Sequence, residues 1–276
     1  MRKINVVPNI ITAFGLACGL FAIFKVNMVE PGEGTYQLLL ASALLIILAA
    51  VADVLDGAVA RFMHAESEFG VMFDSLSDAV SFGVAPSVLL LKFLSLEQGT
   101  GLSFFAMCGA MLFSLCGVLR LVRYNVKANE AKSNAALAAA HKKHFTGLPI
   151  PAGALAAISA IVFFASPFQE KHLPLDASTK AIVLTSIMIV LGYFMISRWK
   201  FPSVKVLHIK VPSFHLVFVT VLCTLFLLYG ILHFLPVVMV VATWSYIILG
   251  WILSIIRLFA GKKSKTLEDF EPEPEE

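Results

Sequence analysis

DVLDGAVARFMHAESEFGVMFDSLSD, residues 53–78, is the stretch from which the fold and function of this chain can be inferred. It places four carboxylates at helical spacing, with Asp53 and Asp56 three residues apart and Asp74 and Asp78 four residues apart. Each pair therefore shares one face of a helix. Carboxylates in apolar helices are costly and usually functional, and four that converge repel one another unless cations lie between them. The pattern indicates a site for hard divalent cations such as Mg²⁺ or Mn²⁺, which prefer oxygen ligands.

The rest of the chain is strongly apolar. Of its 276 residues, 59% are hydrophobic and only 14% are charged, which is too little polar surface for a soluble protein of this size. Each membrane-spanning helix needs about 20 predominantly apolar residues. We therefore predict an all-α fold, a polytopic membrane helical bundle with about eight transmembrane helices near residues 9–27, 37–61, 70–94, 102–124, 148–166, 180–198, 213–233 and 237–259.

The Lys and Arg residues of the loops predict the orientation, because cytoplasmic loops carry an excess of both. With the N-terminus cytoplasmic, 17 of the 21 Lys and Arg residues lie on the cytoplasmic side, so both termini are predicted to be cytoplasmic. The aspartate pairs then meet at the cytoplasmic face of the membrane, which we expect to be the cytoplasmic membrane of a prokaryote. We expect residues 1–260 to form one membrane domain, with its first helix retained rather than cleaved as a signal peptide. Residues 261–276 are expected to form a basic and then acidic disordered tail.

The spacing of the aspartate stretch resembles the signature of the CDP-alcohol phosphotransferase family, D-x-x-D-G-x-x-A-R-x8-G-x-x-x-D-x-x-x-D, at every fixed position. The resemblance implies transfer of a phosphate-linked alcohol from a CDP-activated donor to a second alcohol, with release of CMP. It implies a two-metal centre of Mg²⁺ or Mn²⁺ held by Asp53, Asp56, Asp74 and Asp78, with Asp78 also the general base. It further implies that the CDP group is bound by Asp53, Asp56, Gly57, Ala60, Arg61, Gly70 and Asp74.

Elementary chemistry accounts for these residue types. The negative charge of a diphosphate repels a nucleophile, so cations are needed to neutralise it and to stabilise the departing CMP. An alcohol hydroxyl is not acidic at neutral pH, so a carboxylate within hydrogen-bonding reach must accept its proton. Gly57 and Gly70 have no side chain, which would let a nucleotide lie against helix backbone; close packing of two helices is the alternative role for both. Arg61, at a helix end, is placed to bind a phosphate or to close the site by pairing with a carboxylate.

Three further stretches bear on the acceptor alcohol: RLVRYN at 120–125, FTGLPIPA at 145–152 and SRWKFPSVK at 197–205. They resemble patterns of the phosphatidylserine synthases within this family, with looser matches at Trp199 and Lys200 and a long insertion at 126–144. This resemblance implies CDP-diacylglycerol as donor, L-serine as acceptor and a homodimer among membrane lipids. The carboxylate of serine requires a cationic partner. The residues predicted to bind serine are Arg120, Arg123, Asn125, Arg198 and Lys205.

Two alternatives stay open from the sequence. A related phosphotransferase reaction with glycerol 3-phosphate or inositol as acceptor would use the same aspartates. A cation-coupled membrane transporter would also carry carboxylates in its helices, although it predicts broken helices and an inverted repeat that the sequence does not display. The excess of basic residues in cytoplasmic loops would by itself place Arg198 and Lys205 near this face. No nucleic-acid partner is expected.

Overall fold

A computed structural model describes residues 6–30, 36–63, 67–133, 144–197, 199–202 and 213–260. Within these ranges the helices are α1 (Val6–Asn27), α2 (Tyr36–Phe62), α3 (Glu68–Asp78), α4 (Ala85–Leu94), α5 (Gly101–Ser133), α6 (Ile150–Ala165), α7 (Pro167–His172), α8 (Ala177–Ile196) and α9 (Ser213–Ala260). A π-helical segment, Ala79–Val84, joins α3 directly to α4. Two short strands, β1 (His144–Thr146) and β2 (Lys200–Pro202), pair antiparallel.

The predicted helical membrane bundle is confirmed. Among the described residues, 6 helical stretches are long and apolar enough to cross a membrane: Val6–Asn27, Tyr36–Phe62, Glu68–Leu94, Gly101–Val126, Ala177–Ile196 and His233–Ile256. By length and composition, the described residues thus account for six of the eight predicted spans. The other two predicted ranges are nevertheless helical, since α6 covers the fifth and the first part of α9 covers the seventh. The backbone of α9 leaves helical geometry at Phe234, two residues before Pro236, close to the predicted break between the last two helices.

Helix α6 forms the buried centre of the bundle. It is only 16 residues long, and most of its residues between Ile150 and Val162 are buried. It contacts α2, α4, α8 and α9, which is typical of a helix that is apolar on all sides. Large apolar side chains on the outer helices, such as Phe14 and Phe21 of α1, are exposed. Such contiguous exposed apolar surface is expected of helices that face lipid.

Helix α1 packs along α2 and also contacts α3, the π-helical segment and α4. Its buried face is a stripe of mostly small residues on one side of the helix: Pro8, Thr12, Gly15, Cys18, Gly19, Ala22 and Val26. Small side chains at a membrane-helix contact let the backbones approach closely. The stripe therefore brings the backbone of α1 against both helices that carry the aspartates.

Two features differ from the sequence prediction. Helix α5 continues to Ser133, nine residues beyond the predicted end at residue 124, so the first part of the 126–144 insertion is helical; residues 134–143 lie outside the described residues. The strands β1 and β2 also add a small ribbon to a fold predicted to be all-α. Three-residue strands carry too little alternation of apolar and polar residues to be recognised in a sequence.

Candidate active site

The four aspartates of the signature line one cavity between α1, α2, α3 and the π-helical segment. One ligand oxygen from each of Asp53, Asp56 and Asp74 lies within 4.8 Å of the others. Asp78 lines the same cavity and is 8% exposed. The structure therefore brings together the two pairs that helical spacing predicts: oxygens of Asp53, Asp56 and Asp74 form one close group, and Asp78 lines the same cavity.

The cavity is recessed from the ends of the helices that form it. Asp56 lies six residues before the end of α2, and Asp74 lies six residues after the start of α3. At 1.5 Å per residue, each is about 9 Å from its helix end. The empty space of the cavity, including the part that is open to solvent, is about 190 Å³. The cavity has room for ions and phosphate oxygens rather than for an entire nucleotide.

The donor atoms of this cavity fit hard divalent cations. Its lining residues in the described part of the chain offer carboxylate and hydroxyl oxygens, without the Cys or His side chains that softer metals select. Among the described residues, Arg120 is the cation whose electrostatic influence reaches Asp53 and Asp78. A single guanidinium cannot balance four carboxylates in an apolar bundle. The excess negative charge and the oxygen donors together suit Mg²⁺ or Mn²⁺.

Helix α1 contributes residues to this cavity that the sequence analysis missed. The hydroxyl of Thr12 donates a hydrogen bond to Oδ2 of Asp56 at 2.5 Å. The backbone carbonyl of Thr12 accepts one from Ser77 at 3.5 Å, and the carbonyl of Gly15 accepts one from Ser81 at 3.4 Å. The family signature begins at residue 53, so it carries no information about α1. The buried stripe of small and polar residues is the signal that could have indicated close contact.

The glycines predicted to face a nucleotide have neighbours within the protein. A Cβ atom on Gly57 would lie 3.4 Å from Nη1 of Arg61, so the Arg61 side chain folds back over Gly57. A Cβ atom on Gly70 would lie 3.2 Å from Oδ1 of Asn9 on α1. The Nδ2 atom of Asn9 is buried and has no hydrogen-bond partner among the described residues. Ala60 is half-buried on the same turn as Arg61.

The three acceptor-related stretches meet in space. Strand β1 belongs to the second stretch and β2 to the third, and Phe145 pairs with Phe201 in the ribbon. Beyond the ribbon, the backbone N–H of Gly147 donates to the carbonyl of Trp199 at 2.8 Å. The stretches are far apart along the chain, so a ribbon and its flanking hydrogen bonds are needed to bring them together.

Arg123, in the first stretch, contacts the place where the second and third stretches meet. Its Nη1 donates to the carbonyl of Ile196 at 2.8 Å, and its Nη2 lies 3.4 Å from the carbonyl oxygen of Ser197. These carbonyls belong to the C-terminal end of α8, where a cation is electrostatically favourable. A Cβ atom on Gly147 would lie 2.9 Å from Nη2 of Arg123, and the φ of Gly147 is +78°. Glycine therefore provides both the backbone conformation and the space that the guanidinium occupies.

The other predicted serine-binding residues have different surroundings. Arg120 is 7% exposed, and its Nε atom has no hydrogen-bond partner among the described residues. Its guanidinium carbon lies 5.9 Å from the ring centroid of Tyr124. Asn125 donates a hydrogen bond to the hydroxyl of Ser75 at 2.8 Å, which ties α5 to the helix that carries Asp74 and Asp78. Arg198 and Lys205 lie outside the described residues.

Comparison with known proteins identifies the family of this chain. The model of the CDP-alcohol phosphatidyltransferase family matches residues 5–185. A protein of Methanocaldococcus jannaschii named CDP-diacylglycerol–serine O-phosphatidyltransferase is 31% identical over 85% of this chain and 97% of its own length. Proteins of the same name are 29% identical in Helicobacter pylori, over 83% of this chain and 90% of their own, and 30% identical in Bacillus subtilis, over 73% and 92%. With its six apolar helices, this integral membrane protein belongs to the CDP-alcohol phosphatidyltransferase family.

Proposed function

We propose that this protein is a CDP-diacylglycerol–serine O-phosphatidyltransferase. It would transfer the phosphatidyl group of CDP-diacylglycerol to the hydroxyl of L-serine, giving phosphatidylserine and CMP. The observation that carries the proposal is the convergence of Asp53, Asp56 and Asp74 with Asp78 in one cavity of a chain of this family. The choice of serine is supported by the names of relatives that align over most of the chain.

The group of three carboxylates would act on the donor, CDP-diacylglycerol. Asp53, Asp56 and Asp74 would hold a two-metal centre of Mg²⁺ or Mn²⁺, with Asp78 ligating it or lying beside it. When bound, the cations would neutralise the diphosphate and stabilise CMP as it departs. The protein's part is to hold these oxygens close together in spite of their repulsion. Gly57, Ala60, Arg61 and Gly70, on the same two helices, would bind the rest of the CDP group.

Asp78 is the proposed general base. The serine hydroxyl oxygen attacks the β-phosphorus, which carries diacylglycerol, and its proton passes to a carboxylate oxygen of Asp78. The bond from this phosphorus to the oxygen shared with the α-phosphate breaks, and CMP leaves with both electrons of that bond. Asp78 is well positioned for this role because it lines the cavity but does not belong to the group of three carboxylates.

Arg120 is the best-supported group for the serine carboxylate. It is buried, it interacts electrostatically with Asp78, and its Nε has no hydrogen-bond acceptor within the described part of the chain. Such a buried guanidinium suits a small carboxylate that must come close to the general base. Arg123 makes its hydrogen bonds to the end of α8, which argues for a role in shaping this pocket. Asn125, Arg198 and Lys205 remain proposed contributors to acceptor binding.

The proposal includes a placement in the membrane. Both termini and the active site would face the cytoplasm, because 17 of the 21 Lys and Arg residues then lie on that side. Helix α6 and the first part of α9 would bring the spans from six to eight, within a single domain of residues 1–260 followed by a tail at 261–276. The enzyme would work in the cytoplasmic membrane of a prokaryote, as a homodimer.

The direct test is an assay on the purified protein in detergent with CDP-diacylglycerol, labelled serine and Mn²⁺ or Mg²⁺. We expect labelled phosphatidylserine and CMP in equal amounts, and neither product when the divalent cation is chelated. A lipid product with glycerol 3-phosphate or inositol, and none with serine, would reassign the acceptor. Cation flux in sealed vesicles without any release of CMP would instead favour a transporter.

A further inference from the structure

We propose that Thr12, a residue of α1 outside the aspartate signature, is a positioning residue for the metal centre. Its hydroxyl holds Asp56 in the orientation in which that carboxylate binds a divalent cation. The inference rests on the proposed function in one respect, namely that the group of Asp53, Asp56 and Asp74 binds such cations. It assigns to the first helix a part in the site that neither the signature nor the acceptor-related stretches contain.

The hydrogen bond between Thr12 and Asp56 is buried. Both residues are 5% exposed. The Thr12 hydroxyl has one proton and two acceptors within reach, Oδ2 of Asp56 at 2.5 Å and the carbonyl of Pro8 at 3.1 Å. Bonds from a hydroxyl to a carboxylate are short, about 2.5–2.7 Å, and are roughly twice as strong as bonds between neutral groups. The carboxylate is therefore the stronger of the two acceptors, and a hydrogen bond to it restricts rotation of the Asp56 side chain.

Thr12 also contacts the second helix that carries aspartates. Its backbone carbonyl accepts a hydrogen bond from Ser77, the residue next to Asp78 on α3. One turn further along α1, Gly15 and Ser81 form a hydrogen bond of the same kind. Through its side chain and its carbonyl, Thr12 thus joins α1 to both α2 and α3. It is placed to set the position of one carboxylate relative to the others.

Loss of the Thr12 hydroxyl would change the balance of forces on the Asp56 carboxylate. Asp56 would remain buried beside Asp53 and Asp74, whose charges repel it, but it would lose a donor that opposes this repulsion. Its carboxylate could then rotate away from the other two. Groups that hydrogen-bond to metal ligands typically change metal affinity by about 10- to 100-fold when they are removed. We expect a loss of Mn²⁺ affinity in this range.

The experiment measures binding of Mn²⁺ alone to the purified, EDTA-treated protein in detergent, by the electron paramagnetic resonance signal of free Mn²⁺. Thr12→Val removes the hydroxyl at nearly constant shape, Thr12→Ala removes it with the rest of the side chain, and Thr12→Ser retains it. Thr185→Val is a matched control, because Thr185 is also fully buried in a helix but its hydroxyl has no hydrogen-bond partner among the described residues. The activity of each variant is then followed as a function of Mn²⁺ concentration.

We expect Thr12→Val and Thr12→Ala to bind Mn²⁺ at least about tenfold more weakly than the wild type, with activity that recovers in part at high Mn²⁺. Thr12→Ser should lie within about threefold of the wild type, and Thr185→Val should be unchanged. Wild-type Mn²⁺ affinity in whichever hydroxyl-free variant folds, or equally weak binding by Thr12→Ser, would overturn the inference. If the wild type binds Mn²⁺ but transfers nothing to serine, the acceptor assignment fails while the role of Thr12 stands.

Discussion

Gly19→Ala tests how closely α1 must approach the aspartate-bearing segment. A Cβ atom on Gly19 would lie 2.8 Å from Cα of Ser81, in the π-helical segment that begins directly after Asp78. Ordinary van der Waals contact begins at 3.4 Å, so the two segments would have to separate by about 0.6 Å. Because the contact is with backbone, no side-chain rotation can relieve it. Overpacking of this kind costs about 1–3 kcal/mol.

The separation of the two segments should also lower the rate of turnover. Ser81 is three residues after Asp78, and its hydroxyl is bonded to the carbonyl of Gly15 on the opposite helix. A displacement of about 1 Å in a catalytic group can cost about 100-fold in rate. We therefore expect Gly19→Ala to lower the melting temperature in detergent and to reduce CMP release at saturating Mn²⁺ by at least about tenfold.

Gly83→Ala is the matched control for this prediction. It adds the same methyl group on the π-helical segment that Gly19 of α1 contacts. Its Cβ atom would lie 3.8 Å from the nearest atom, Cδ1 of Ile150, which is ordinary contact. Melting is followed by intrinsic fluorescence and turnover by CMP release, both on the purified protein. If Gly19→Ala melts and turns over as Gly83→Ala does, the close approach of α1 is not required and the reasoning is refuted.

Three further predictions concern the proposed roles of single residues. Asp78→Asn should lower turnover by about 10²- to 10⁴-fold while binding of CDP-diacylglycerol stays largely intact; normal turnover would remove the base role. Arg120→Lys should raise the KM for serine without lowering the melting temperature. Arg123→Lys should lower the melting temperature, because a lysine cannot donate to several carbonyls at once as Arg123 does. The reverse pattern of KM and melting temperature would exchange the two roles. Gly147→Ala should destabilise like Arg123→Lys, since its φ is +78°, and a wild-type melting temperature would contradict this.

The sequence predicted the features that depend on local spacing. Apolar runs located the helices, and a helical segment lies in each of the eight predicted ranges. The spacing of Asp53 with Asp56, and of Asp74 with Asp78, predicted shared faces that the structure brings to one cavity. These predictions were possible because a helix has a fixed period, so residues three or four apart must lie on the same side.

Other features depend on contacts between distant parts of the chain. The bond from Thr12 to Asp56 joins residues 44 apart, and nothing in the spacing of either segment indicates it. The π-helical segment after Asp78 differs from an α-helix only in the register of its backbone hydrogen bonds, which residue types do not specify. The resemblance to a family suggested Arg123 as a ligand for serine, and the carbonyls that it contacts at the end of α8 become apparent only in three dimensions.

The central claim is that Asp53, Asp56 and Asp74 bind divalent cations. It is tested most directly by a crystal structure of the protein soaked in Mn²⁺, with anomalous diffraction measured at the manganese edge. The account predicts anomalous peaks within about 2.0–2.3 Å of carboxylate oxygens of these residues, as expected for a hard divalent cation bound by oxygen. The same crystals of Asp74→Asn should have weaker peaks. Peaks confined to other parts of the protein, or none under conditions that support turnover, would contradict the account.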